Sequence, residues 1–177
     1  MRNLAGSKTE NNLKMALRGE ALGAAMYRYH AEKARNEGFQ DVADIFDETA
    51  GNEQEHGKMW YKLLHNGLGN TKENLSDAVS GEHEEHTSMY PGFEREARQE
   101  GFDEIADLFR AVGSIEQQHE MRFQRLLDRL EQNQMFHKDQ PVKWKCLNCG
   151  YTHTGTDAPK HCPACAYPQG FFAMEEC

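Results

Sequence analysis

Proline is almost missing from the first 140 residues of this 177-residue chain: Pro91 alone interrupts them, and the other four lie between Pro141 and Pro168. Cysteine is missing altogether before Cys146. Long apolar runs are missing too. With a mean hydropathy of −0.87, no segment approaches the roughly 20 apolar residues a membrane-spanning helix needs, so no membrane partner is expected. Positive charge is scarce, 20 Lys and Arg against 29 Asp and Glu, for a net charge of −9. Nucleic-acid binding needs a basic footprint, so that class is excluded. The opening Met1-Arg2-Asn3-Leu4-Ala5-Gly6-Ser7 turns polar at once; no secretory leader is expected and a cytoplasmic location is the default.

Because proline breaks helices, the proline-poor stretch, rich in Ala, Glu, Leu, Gln, Lys and Arg, reads as helix. Glycine and loop residues divide it into four segments, about 8–36, 40–64, 71–99 and 103–134. Apolar stripes at helical spacing (Val42, Ile45 and Phe46; Ile105, Leu108 and Phe109; Phe123, Leu126, Leu127 and Leu130) predict a bundle core. Residues 30–64 repeat as 93–127 at an offset of 63, with 13 identities in 35 positions. Glu37-Gly38-Phe39 aligns with Glu100-Gly101-Phe102, and Glu53-Gln54-x-His56 with Glu116-Gln117-x-His119. Two hairpins of one design imply a mainly α, ferritin-like four-helix bundle with pseudo-two-fold symmetry. A connection of about ten residues, 65–74, has the reach for a long crossover. The repeat slips once: Glu20 precedes Tyr27 by seven residues, but Glu82 precedes Tyr90 by eight. One extra residue in a helix predicts a π-bulge within 81–91.

Residues three apart share a helix face. Glu53/His56, Glu82/Glu85 and Glu116/His119 have that spacing, and Glu20 adds a carboxylate on the first helix. Singly, each pair is what a solvated helix face carries. Together they fall near mid-helix, where an antiparallel bundle brings them to one height. Five carboxylates converging on an apolar core cannot all stay ionised unpaired: either they face water or they bind cations. A Glu from each of two helices with Glu-x-x-His from the other two is the pattern of a dimetal carboxylate site, and this donor set suits iron or manganese better than copper. Glu85 exceeds the minimal pattern by one ligand.

Cys146-Leu-Asn-Cys149 and Cys162-Pro-Ala-Cys165 offer four thiolates to one tetrahedral metal, either iron or structural zinc. A segment of about 35 residues is too small for a good core alone, so a metal-clipped β/loop domain is expected over 143–177, after a bundle over 1–135 and a linker over 136–142. Cys177 is left as a free thiol.

These residues resemble the rubrerythrin family over nearly the whole chain. The specific pieces are Gly81-Glu82-x-Glu84-Glu85, Met89-Tyr90-Pro91, Glu116-x-x-His119, and Trp144-x-Cys146-x-x-Cys149-Gly150-Tyr151 with Ala158-Pro159 and Cys162-Pro163-x-Cys165. The resemblance implies a ferritin-like di-iron bundle followed by a rubredoxin-like Fe(Cys)4 domain. It implies a peroxidase that reduces hydrogen peroxide to water in oxidative-stress defence, with electrons from an external NAD(P)H-linked reductase or a rubredoxin. It implies iron ligands at Glu20, Glu53, Glu82, Glu85, Glu116 and His119, with His56 exchanging with Glu85, and supporting tyrosines at Tyr27 and Tyr90. It moves the tail's metal towards iron. His86 stands where the family usually has Trp, and Met26 where a basic residue is frequent. With the fourth helix running on past His119, a chain's two centres are expected to lie far apart, and a head-to-tail homodimer is expected to bring each tail beside the partner's bundle.

Overall fold

A computed structural model describes residues 4–175; Cys177 lies outside them. The helical part comprises α1 (Lys8–Asn36), α2 (Gln40–His65), α3 (Thr71–Glu84), α4 (Tyr90–Gln99) and α5 (Asp103–Glu131). Between α3 and α4 lies a π-helical turn, Glu85–Met89, inside the window the repeat slip predicted. The extra residue is absorbed by i→i+5 bonding, as in the Tyr90 N–H donating to the Glu85 carbonyl.

The fold class is the expected one, mainly α and ferritin-like, with a small C-terminal antiparallel sheet. The described residues form two compact units, divided between Asn70 and Thr71. The first is the α1/α2 hairpin. The second is a hairpin of α3, the π turn and α4 against α5, continuing into the sheet. The non-helical connection between the hairpins is shorter than the ten residues expected. Thr71 already starts α3, leaving only 66–70, which turn through left-handed Asn66, Gly67 and Gly69.

Each hairpin turns through the repeated Glu-Gly-Phe. Gly38 (φ 86°) and Gly101 (φ 85°) take the left-handed conformation. The Phe39 N–H then donates to the Ala34 carbonyl at 2.9 Å and the Phe102 N–H to the Ala97 carbonyl at 2.8 Å, closing the preceding helix as a Schellman cap. At the other end of α1, Ser7 Oγ accepts from the Glu10 N–H and the Glu10 carboxylate accepts from the Gly6 N–H, a reciprocal cap.

Within each hairpin Phe46, Phe109, Phe123, Leu126, Leu127 and Leu130 are half-buried, while Val42, Ile45, Ile105 and Leu108 lie off the seam between the paired helices. The buried residues are Ala24, Ala31, Ala34, Ala43, Ala50, Ala97 and Ala106, with Gly57. Small residues let helix backbones approach closely, which leaves no room in the seam for branched side chains. A Cβ on Gly57 would meet Glu20 Cβ at 3.5 Å, and one on Gly113 would meet Tyr90 Cβ at 3.1 Å. That close approach sets a Glu of one helix opposite a Glu-x-x-His of its neighbour.

The C-terminal sheet has order β2-β1-β3, all antiparallel, from β1 (His137–Cys146), β2 (Thr152–Asp157) and β3 (Phe172–Met174). Residues 137–142, expected in a linker, form the start of β1: His137 pairs with Asp157 and, past a register shift, Val142 with Gly155. Trp144 is fully buried among Cys146, Ala158, Cys162 and Phe172, and its Nε1–H donates to the Gly155 carbonyl at 3.0 Å. One indole therefore supplies much of a core that a segment this small cannot build from aliphatic residues alone.

Candidate metal centres

In the first hairpin Glu20, Glu53 and His56 converge, each offering an atom within 4.8 Å of the others. His56 Nδ1 lies 3.0 Å from Glu53 and 3.8 Å from Glu20. Trp60 Nε1–H donates to Glu20 Oε1 at 3.3 Å, a partner that the sequence reading missed. A hydrogen bond shared with Glu20, and then one with His56, hold the Glu53 carboxyl below the usual range. In the second unit Glu82, Glu116 and His119 repeat the arrangement. His119 Nδ1 lies 2.6 Å from Glu116 and 3.7 Å from Glu82.

Glu85 opens the π turn beside the second set. Burial first, and then the charges on Glu82 and Glu116, raise its carboxyl above the usual range, with His119 opposing. The same surroundings raise Tyr90: burial, then Glu116, Glu85 and Glu82. Tyr90 thus lies in the field of three carboxylates. Tyr27 lies against the first set's helix seam, where its ring stacks on Phe46 at 6.0 Å; a Cβ on Gly23 would touch both Tyr27 and Glu53. Crowded carboxylates whose mutual repulsion is relieved only by protons or cations are chemically suited to a divalent metal.

A third group was not anticipated as a group. His83, His86 and Glu120 bring ligand atoms within 4.8 Å of one another. His83 and His86 show the same three-residue spacing that marked the other sets, and that signal was available for them too.

The four cysteines stand on two matching turns. The Cys146 N–H donates to the Tyr151 carbonyl and the Gly150 N–H to the Cys146 carbonyl; the Cys162 N–H donates to the Tyr167 carbonyl and the Ala166 N–H to the Cys162 carbonyl, all at 2.8 Å. Sγ–Sγ separations are 3.8 Å for Cys146–Cys165 and 3.6 Å for Cys149–Cys162. A tetrahedron with metal–sulfur bonds near 2.3 Å has edges of about 3.8 Å, which these two separations match, and all four sulfurs lie within 4.8 Å of one another, a set suited to one ion. The Asn148 side chain and the Tyr167 N–H hold Cys165 down to about 6. Cys149 is pushed up to about 12: the Tyr151 N–H favours its thiolate, but Cys165, burial and the other two thiols outweigh it. Cys146 and Cys162 are buried, Cys149 is exposed and Cys165 half-buried, so one edge of the centre faces outward.

Twin Glu/Glu/His sets on a repeated helical hairpin, followed by a four-cysteine sheet domain, define a class: metal-binding ferritin-like proteins with an appended rubredoxin-like domain. Residues 11–127 match the family model Rubrerythrin, and residues 144–173 match that of the rubrerythrin rubredoxin-like domain. The chain is 40% identical over 186 residues to the rubrerythrin of Nitratidesulfovibrio vulgaris, covering 98% of this chain and 97% of that one. It is 41% identical over 183 residues to the rubrerythrin of Porphyromonas gingivalis, covering 97% and 92%. Rubrerythrin-1 of Clostridium acetobutylicum is 40% identical over 190 residues, covering 98% and 97%. The chain therefore belongs to the rubrerythrin family, a family of di-iron oxidative-stress proteins, and is an oxidoreductase. No helix among the described residues is long and apolar enough to cross a membrane.

Proposed function

We propose that this protein is a cytoplasmic non-haem peroxidase that reduces hydrogen peroxide to water, with electrons resupplied through its four-cysteine centre. The observation that carries this reading is the presence, in one chain, of two Glu/Glu/His sets of the same composition and similar spacing and a four-thiol cluster with an outward-facing edge. An iron-storage role would leave that cluster with nothing to do.

The ligands in this reading are Glu20, Glu53, His56, Glu82, Glu85, Glu116 and His119 for two iron ions, and Cys146, Cys149, Cys162 and Cys165 for a third. Held by these residues, an iron pair would supply the two electrons that, with two protons, take peroxide to two waters. Glu85 and His56 are alternative donors: one is a carboxylate strained by its neighbours, the other a half-exposed imidazole. Tyr90, kept protonated by burial and by surrounding carboxylates, holds a proton available for a hydrogen bond at Oη beside Glu85 and Glu116. Tyr27 has the matching place by the repeat. The exposed Cys149 edge is where a reductase or rubredoxin, ultimately NAD(P)H-linked, delivers single electrons.

The α5 helix continues twelve residues beyond His119, about 18 Å along its axis. That length supports a head-to-tail homodimer in which each tail serves the partner's dimetal centre.

The test is the visible spectrum of the iron-loaded protein. Red colour that bleaches on reduction and returns within seconds on adding peroxide is expected. A colourless zinc protein, or a reduced protein whose colour peroxide does not restore, rejects the reading.

A further inference from the structure

The two hairpins are copies, but they part company one residue beyond each histidine. Gly57 follows His56 and is buried against Glu20 Cβ and Leu17. Its counterpart after His119 is Glu120. On the facing helix, the first hairpin has Ala21 and the Gly23-Ala24 pair where the second has His83 and His86. A close small-residue contact in one copy is thus a His/His/Glu cluster in the other. The first hairpin forms without such a cluster, so the hairpin design does not require it.

Its geometry is that of a ligand set. His83 Nδ1 lies 3.1 Å from Glu120 Oε1, and His86 Nε2 lies against Glu120 Oε2. The two imidazoles meet edge to face, with centroids 5.4 Å apart. An ion bound at about 2.0–2.1 Å by nitrogen and oxygen in a tetrahedron has ligand edges of about 3.3 Å; the His83–Glu120 separation of 3.1 Å is close to that, and the direct His86–Glu120 contact of 2.5 Å would open to admit the ion. His86 is 14% exposed, Glu120 23% and His83 60%: two donors are sheltered, while the third faces solvent and leaves an entry path. One residue along a helix is about 100° of rotation. His83 and Glu120 therefore face aside from Glu82 and His119, and the cluster is separate from the Glu82/Glu116/His119 set.

We propose that His83, His86 and Glu120 form an additional mononuclear site for a divalent transition metal, with two imidazoles and one carboxylate as ligands and open positions left for water. Two imidazoles with one carboxylate suit zinc, iron(II) and cobalt(II) better than magnesium or calcium, which favour all-oxygen sets. Nothing in this proposal depends on peroxide reduction.

The test is equilibrium dialysis of the full-length, iron-loaded protein against Co2+, followed by metal analysis and by the visible bands of four- or five-coordinate cobalt. The parent is expected to retain one cobalt per chain above its iron, with iron content unchanged. His86→Phe and Glu120→Gln are each expected to lose that equivalent. His83→Ala, at a position 60% exposed, is expected to weaken binding by more than the roughly 10–100-fold that loss of an outer partner costs. Far-UV helicity and the thiolate–iron bands report that each variant is folded. The proposal is overturned if the parent retains no extra cobalt, if cobalt is retained only by displacing iron, or if a folded His83→Ala binds cobalt as the parent does.

Discussion

His119 Nδ1 stands 3.7 Å from the carboxylate of Glu82, and in the other hairpin His56 Nδ1 stands 3.8 Å from Glu20. The sequence relates these pairs at different offsets, 62 for the Glu and 63 for the His. The π turn Glu85–Met89 takes up the difference, so that an insertion leaves the carboxylate–imidazole relation unchanged. It also places Glu85 beside Glu82 and Glu116, where the first hairpin has no counterpart.

Glu116→Ala removes a candidate ligand that is 13% exposed and 2.6 Å from His119. Peroxide-dependent reoxidation of the reduced protein is expected to slow by more than about 100-fold, since even outer partners of metal ligands cost roughly 10–100-fold. Stopped-flow absorbance checks this; reoxidation at the parent's rate excludes Glu116 from the site.

Cys162→Ser removes one of the two buried thiols. The four-thiolate visible bands are expected to disappear, and steady-state turnover with an external donor to stop. A chemically prereduced sample should still consume a single equivalent of peroxide, which separates electron supply from the reaction with peroxide.

Glu85 carries a pH signature in the metal-free protein. Its folded carboxyl titrates above the ordinary range because of burial and the charges of Glu82 and Glu116. A raised acid adds stability that is full below the unfolded value and lost as pH rises through the folded value. Metal-free Glu85→Gln should therefore melt higher than the parent at neutral pH, with the advantage vanishing on acidification below the ordinary carboxylate range. With metal bound the order should reverse. Calorimetric melts of both forms across pH measure it.

Ala166 holds φ 59° on the second cysteine turn, where the first turn has Gly150 at 79°. A left-handed conformation costs an alanine roughly 1–2 kcal/mol, partly offset by the greater chain entropy that glycine loses on folding. Ala166→Gly is expected to stabilise the sheet domain by up to about 1 kcal/mol, read as a higher midpoint for thermal loss of the thiolate–metal bands.

Much of this was legible in the linear chain because it depends on local chemistry. Proline scarcity and Glu-Gly-Phe punctuation located the helices to within a few residues. The one-residue slip located the π turn, because a helix absorbs an insertion locally. The CxxC pairs announced a tetrahedral cluster, since each places two thiols on one tight turn. What local pattern left open was packing inside each hairpin: the stripes of Val42, Ile45, Ile105 and Leu108 have core periodicity, and the seam between paired helices is made by Ala and Gly. Periodicity identifies a face and its composition, and it cannot say how closely a neighbouring helix approaches.

The sequence by itself thus determined the helical repeat, the candidate donors and the family, all written in spacings along single elements. The tertiary structure decided which donors meet across elements: Trp60 on Glu20, Glu85 among Glu82 and Glu116, and the convergence of His83, His86 and Glu120. Those relations depend on how closely and at what rotation two helices meet, set by the Gly57 approach to Glu20 in the first hairpin and by the π turn in the second, and no single-helix spacing encodes either.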